Sequence, residues 1–402
     1  MSAFALCRDA RGDAAVRATL ERCLSLLRER LDRRLVGLIL TGSFSRGEGS
    51  VLPVNGHLRV LGDVEFLVVL PHGRDYRTLR PVLAEWSREA SAAAAATGVM
   101  VDVEFGPVEL AYLARRAQPS IFVHDLRTHG RVLHGSPQLL DLIAPFGPKR
   151  IPREDAVHLL FNRAIEQLEA WDRVEHASGE ALFDLAYQRL KLTLDIAGSA
   201  LAFDGGHVAS YAERPAAFAA LLRRVPALAA RLPADFDDEL ARAARVKLAP
   251  QPDDVLPAAS LDEQRAWIRE RIGAAVPALA ALLRWELGTL LGADAPLPVL
   301  LERWVAAPSW ARRVRQWTRL AIHPMPAPQP LSPQRVARLA WRSTPRALVH
   351  AAGALAYLGL AEHASVRGLA SRLLPMAGPP PATAAAERAA VTTFWRWCVR
   401  ND

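Results

Sequence analysis

The sequence predicts an α+β protein: a small α/β domain built on a mixed sheet, followed by a large all-α region. Short branched apolar runs that read as strands (Leu35 to Leu40, Val64 to Leu70, Val99 to Phe105) are confined to the first 145 or so of 402 residues. Past the Pro- and Gly-bearing stretch Ala144-Pro145-Phe146-Gly147-Pro148-Lys149-Arg150-Ile151-Pro152, strand patterns give way to Ala/Leu/Arg-rich segments with helical spacing. The length exceeds one such α/β unit and suits two or three domains. The expected boundaries are 1–145 for the α/β domain, 153–322 for a helical domain and 331–402 for a basic helical portion set off by the Pro-rich break 323–330.

Each element has its own signal. Ala14, Val16, Leu20, Cys23, Leu24, Leu27 and Leu31 recur at spacings of three and four, which gives an amphipathic helix before the first strand. The run Leu35 to Leu40 is a buried strand. Residues Val51 to Val60 read as two extended segments about an Asn55-Gly56 turn, a hairpin inserted before the next strand. A helix over Tyr76 to Ala96 leads to the strand Val99 to Phe105, which Gly106-Pro107 is expected to end. A short helix over Val108 to Arg116, a strand at Arg131 to Gly135 and a helix from Pro137 complete the domain.

The chemistry concentrates at the strand ends. Gly42-Ser43, directly after the first strand, frees backbone N–H groups and a hydroxyl for an anion, and Arg46 lies in the same turn as a second phosphate contact. Asp63 and Glu65 are two apart on a strand, so both side chains leave one face and can converge on a divalent cation. Asp102 and Glu104 repeat the pattern on the third strand. Oxygen ligands of this kind suit a hard cation, Mg²⁺ or Mn²⁺, and paired ions can activate an attacking oxygen while holding the leaving phosphates.

An apolar strand, Gly-Ser, a spacer, Asp-x-Glu on a strand and a later acidic strand together resemble the nucleotidyltransferase superfamily, which includes polymerase β-type, aminoglycoside and minimal nucleotidyltransferases. The resemblance covers the N-terminal domain. It implies that Gly42 and Ser43 hold the phosphates of a nucleoside triphosphate and that Asp63 and Glu65 bind metal. It also implies that Asp102 completes the site as ligand or base, with Glu104 on the same face as its rival. The activity implied is transfer of a nucleoside monophosphate to an acceptor hydroxyl with release of pyrophosphate. Two departures stand out: about nineteen residues separate Ser43 from Asp63, more than is usual in the family, and Glu65 replaces the commoner Asp.

In the helical region, Tyr187 and Lys191 lie four apart and so on one helix face. The pattern resembles the helical domain of aminoglycoside-type enzymes, which implies that Lys191 reaches the triphosphate. Arg163 and the segment Ser210-Tyr211-Ala212-Glu213-Arg214 are further candidates of that sort. His124, His129 and His134 are five apart, which fits neither a helix face nor one side of a strand, and are expected to be structural or surface residues. There is no Gly-x-Ser-x-Gly elbow, P-loop or Gly-x-Gly-x-x-Gly.

Charge is uneven. From Leu301 onward there are fourteen Arg against four acidic residues, which accounts for the whole net charge of +8. Trp310-Ala311-Arg312-Arg313-Val314-Arg315-Gln316-Trp317 interleaves indoles with guanidinium groups, as a nucleic-acid surface would. Trp310, Val314, Trp317 and Leu320 also recur at helical spacing, which reads as a packed stripe with a solvated arginine face. The acceptor is therefore expected to be a small molecule or sugar. Two alternatives are an RNA end held by the basic C-terminal region and a nucleotide sensor without turnover. Three cysteines without Cys-x-x-Cys spacing argue against a disulfide framework or zinc site and suit a reducing cytoplasm. Charges at Arg8, Asp9, Arg11 and Asp13 break any leader-peptide core, and the apolar run Ala347 to Ala361 falls short of the roughly 18–20 residues of a membrane span, so no transmembrane segment is expected.

Overall fold

The computed structural model describes residues 6–54, 56–322, 331–361, 368–379 and 381–400. The protein is α+β, with one five-stranded sheet near the N-terminus and helices throughout the rest. It divides into two compact units: residues 1–152, 204–217 and 240–257 form the first, and 153–203, 218–239 and 258–402 the second. The boundary expected near residue 150 is thus the first of several crossings. Residues 331–402 fall within the second unit. The break at 323–330 and Asn55 of the hairpin turn lie outside the described residues.

In the first unit, helix Ala10–Leu31 begins where the Asp9 carboxylate accepts the Gly12 N–H at 2.6 Å, and buries Val16, Leu20, Cys23, Leu27 and Leu31 on one face. The strands are β1 (Gly37–Leu40), β2 (Ser50–Val54), β3 (His57–Leu70), β4 (Val99–Glu109) and β5 (Arg131–His134). β3 is the organising element. Its first half pairs antiparallel with β2 (Val54 opposite His57), its second half antiparallel with β1 (Leu40 opposite Phe66), and it runs parallel to β4. The hairpin inserted in the sequence is therefore real, but its second arm runs unbroken into the acidic strand, giving one strand of 14 residues.

Two expectations fail around β4. Gly106-Pro107 does not end the strand, which continues to Glu109, and the helix expected over Val108 to Arg116 reduces to a single turn, Tyr112–Arg116. Among the described residues β4 pairs only with β3, so Pro107, which has no N–H, breaks no outer ladder. The outer edge is capped by helix Gly73–Ala95: the N–H groups of Val103 and Phe105 donate to the hydroxyls of Ser91 and Ser87, each at 2.9 Å.

The second unit is helical. Helices Arg153–Val174, Glu180–Phe203 and Pro345–Leu358 form its core, the last buried along nearly its whole length, as the apolar run Ala347 to Ala361 leads one to expect. Arg189, 4% exposed, ties helices together by donating to Thr193 Oγ1 at 2.7 Å, Glu239 Oε1 at 2.6 Å and the Arg271 carbonyl at 2.5 Å. The stretch Leu261–Leu291 is long and apolar enough to cross a membrane by length and composition, and half of its most apolar window is buried inside the protein. The interleaved segment forms helix Trp310–Ala321, but its stripe is not fully packed: Leu320 is buried, whereas Trp310 and Val314 are 55% and 46% exposed.

Glu286 is fully buried, and burial pushes its carboxyl up to about 8, against a hydrogen bond with Ser199 that lowers it. The Ser199 hydroxyl stands within donating distance of both the Glu286 carboxyl, with Oε1 2.8 Å away, and the Ala156 carbonyl, 2.9 Å away. Because the folded value lies above the unfolded one, the contribution of Glu286 is fully present below about pH 4.5 and is lost as pH rises through about 8. Glu286→Gln is expected to flatten that loss. Urea midpoints at pH 6 and pH 9 should differ less in the variant than in the parent, and an equal difference would show that Glu286 is not the titrating group.

Candidate metal and phosphate site

The site is built where β1 hands over to a tight turn. The Thr41 N–H donates to the Glu65 carbonyl at 2.9 Å, which fixes the end of β1 on β3. Gly42 then takes φ +70, and a methyl group at its Cα would lie 2.7 Å from Glu65 Oε2. Glycine is required there twice over, for the backbone conformation and for the carboxylate pressed against it. Phe44, 1% exposed, anchors the short helix Gly42–Ser45, and the Glu48 N–H closes the turn on the Ser43 carbonyl at 2.9 Å. Ser43 itself stays partly exposed.

In the parallel pair β3/β4, Asp63 lies opposite Asp102 and Glu65 opposite Glu104, so four carboxylates leave one face while Val64, Phe66, Val103 and Phe105 pack the other. Asp63, Glu65 and Glu104 each place an oxygen within 4.8 Å of the other two. Asp102, the favoured third carboxylate in the sequence, lies outside this trio, and it and Glu104 are both exposed. Glu104 has one more methylene than Asp102 and stands beside Glu65, which gives it the reach. Partial desolvation, and then the charge of Asp63, raise the Glu104 carboxyl above its usual range. A cluster of like charges held this close is what a divalent cation relieves, and its all-oxygen donor set fits Mg²⁺ or Mn²⁺.

Arg46 is not presented as a phosphate contact. Its side chain is 9% exposed, with Nε 3.5 Å from Glu48 Oε2, NH1 3.8 Å from Asp125 Oδ2 and the guanidinium 5.3 Å from the Tyr211 ring centre. Its charge is committed inside the fold. Arg163, in the second unit, is likewise held by Asp195 at 2.6 Å and by Glu166, and these partners keep its guanidinium protonated despite burial. Lys191 is half-buried on helix Glu180–Phe203 of the same unit.

Glu48 carries a role the sequence did not reveal. It is 7% exposed and accepts from Ser210 Oγ at 2.7 Å and from the N–H groups of Tyr211 and Ala212 at 3.0 and 3.3 Å. Burial raises its carboxyl, but these bonds and Arg46 outweigh that and hold it below its usual range. The segment Ser210 to Arg214 is thus a docking element for the turn. Lys247, also buried, donates to Ser50 Oγ at 2.8 Å and lies 5.4 Å from the Tyr211 ring centre. A signal existed in principle: Ser-Tyr-Ala-Glu is a helix-capping pattern whose free N–H groups seek a carboxylate. Its partner lies about 160 residues earlier.

Comparison with protein-family models, with curated proteins and with solved structures gives no match.

Proposed function

We propose that the protein is a metal-dependent nucleotidyltransferase that moves a nucleoside monophosphate from a nucleoside triphosphate to an acceptor hydroxyl, with release of pyrophosphate. The observation that supports it is the convergence of Asp63, Glu65 and Glu104 beside the Gly42-Ser43 turn. Asp63, Glu65 and Glu104 would hold Mg²⁺ or Mn²⁺, which supplies charge neutralisation at the phosphates. Gly42 and Ser43 offer the turn to the triphosphate, and Thr41 steadies Glu65 through its hydroxyl, 3.3 Å from Oε2.

In the reaction, the acceptor oxygen bonds to the α-phosphorus as the bond to the pyrophosphate oxygen breaks. Asp102, exposed on the same face, receives the hydroxyl proton. The acceptor is proposed to be a small molecule or sugar. The RNA alternative is less well supported, because Arg313 donates to the carbonyls of Pro308, Ala306 and Trp341, which takes one guanidinium of the interleaved segment out of play.

The test is calorimetric titration with each nucleoside triphosphate, with and without Mg²⁺, followed by pyrophosphate release against sugar and small-molecule pools. Mg²⁺-dependent binding with release is the expected result. Mg²⁺-dependent binding without release from any pool would make the protein a sensor, and binding indifferent to Mg²⁺ would defeat the reading.

A further inference from the structure

A second cluster in the first unit has different chemistry. Helix Ile121–His129 starts at Ser120, whose hydroxyl accepts the Val123 N–H at 3.0 Å, and its first turns set His124 and Asp125 facing His207, which arrives from residues 204–217. His207 Nε2 is 2.7 Å from Asp125 Oδ1, and His124 Nδ1 is 3.5 Å from the same oxygen. The three residues each bring a ligand atom within 4.8 Å of the other two. The imidazole rings of His124 and His207 meet edge-on with centres 5.3 Å apart. Two imidazoles bound to one tetrahedral ion at Zn–N distances of about 2.0–2.1 Å would have ring centres roughly 5 Å apart.

His207 is the most enclosed of the three residues. The His207 side chain is 3% exposed, and its Nδ1 has no hydrogen-bond partner. The charges nearby are Asp125, Glu48 and Arg46, so with neutral imidazoles the cluster has a net negative charge.

We propose that His124, Asp125 and His207 form a binding site for a divalent transition ion of the zinc class, which pins residues 204–217 to helix Ile121–His129. Two imidazoles and a carboxylate select zinc over magnesium, whereas the all-oxygen cluster at Asp63 has the opposite preference. Three protein ligands leave a fourth position for water. The spacing of His124, His129 and His134 gave no hint of this site, because only one of them belongs to it and its partner imidazole lies 83 residues later, at His207.

The experiment is titration of the untagged, chelator-treated full chain with Zn²⁺, and with Co²⁺ followed by visible absorption. Loss of an outer partner alone weakens metal sites about 10–100-fold, so His124→Ala and His207→Ala are each expected to weaken Zn²⁺ binding by about 100-fold or more and to abolish the intense Co²⁺ bands of a tetrahedral site. His124 is the less buried of the two, and His124→Cys should restore binding with a sulfur-to-cobalt charge-transfer band. Asp63→Asn should leave Zn²⁺ binding unchanged, which separates this site from the transferase reading. No Zn²⁺ binding to the parent, or binding equal in parent and both histidine variants, would overturn the proposal and leave a hydrogen-bonded Asp–His pair only.

Discussion

On the proposed transferase reading, Asp63→Asn is expected to reduce nucleotide transfer by roughly 10²–10³-fold or more, the scale for removing one preorganised electrostatic group, and to weaken Mg²⁺ binding while leaving the fold intact. Asp63 is partly exposed on the face of β3 opposite the apolar core, so amide for carboxylate costs no packing. Comparing Glu104→Gln with Asp102→Asn then separates the roles. The trio of Asp63, Glu65 and Glu104 predicts that Glu104→Gln weakens Mg²⁺ binding and that Asp102→Asn slows turnover with metal affinity preserved. The reverse outcome would restore Asp102 as the third ligand. There is also a pH signature. The Glu104 carboxyl is raised, and a proton competes with the ion, so Mg²⁺ affinity should begin to fall, as pH is lowered, sooner than an ordinary glutamate would dictate. Glu104→Gln should remove that early decline.

Glu48→Ala is expected to destabilise the first unit by about 3–5 kcal/mol, the usual cost of leaving one side of a buried charge pair unmatched. The loss has several parts: the Ser210 hydroxyl, two backbone N–H groups and Arg46 all give up their acceptor. The effect should be local first. Hydrogen exchange should quicken over residues 204–217 before it does in β3, and uniform exchange across the unit would contradict the clamp. Because the Glu48 carboxyl is depressed, its stabilisation is fully present above about pH 4.5 and is lost as pH falls through its folded value. The parent should therefore lose protection over this segment in acid, and the variant should show little further loss.

Much of the sheet was legible because its signals are local. Leu35 to Leu40, Asp63 to Leu70 and Val99 to Phe105 announce themselves by branched apolar runs, and Asn55-Gly56 marks the hairpin whose arms pair as expected. The acidic residues two apart on β3 and β4 were also readable, since a strand's period of two decides which side chains share a face. What sequence could not decide was reach. Asp102 and Glu104 are equivalent by pattern, and only the register of β4 against β3, together with one methylene, brings Glu104 to Glu65. The continuation of β4 through Gly106-Pro107 was hidden because Pro reads as a breaker unless the edge position of the strand is known. Glu48 and His207 escaped for a common reason: their partners are distant in sequence. Arg46 misled in the opposite direction, since its place in the phosphate turn says nothing of the two carboxylates that draw it inward.

The division of the first unit into three lengths of chain has a practical and an evolutionary consequence. A fragment stopping at residue 152 would retain every carboxylate of the metal trio, yet Glu48 would have lost its three donors, Asp125 its imidazole from His207, and Ser50 its lysine. A single cut cannot liberate this module, and recombination at the proline-rich boundary cannot graft it whole onto another protein. The helical unit, whose own segments alternate with those of the first along the chain, is obliged to travel with it.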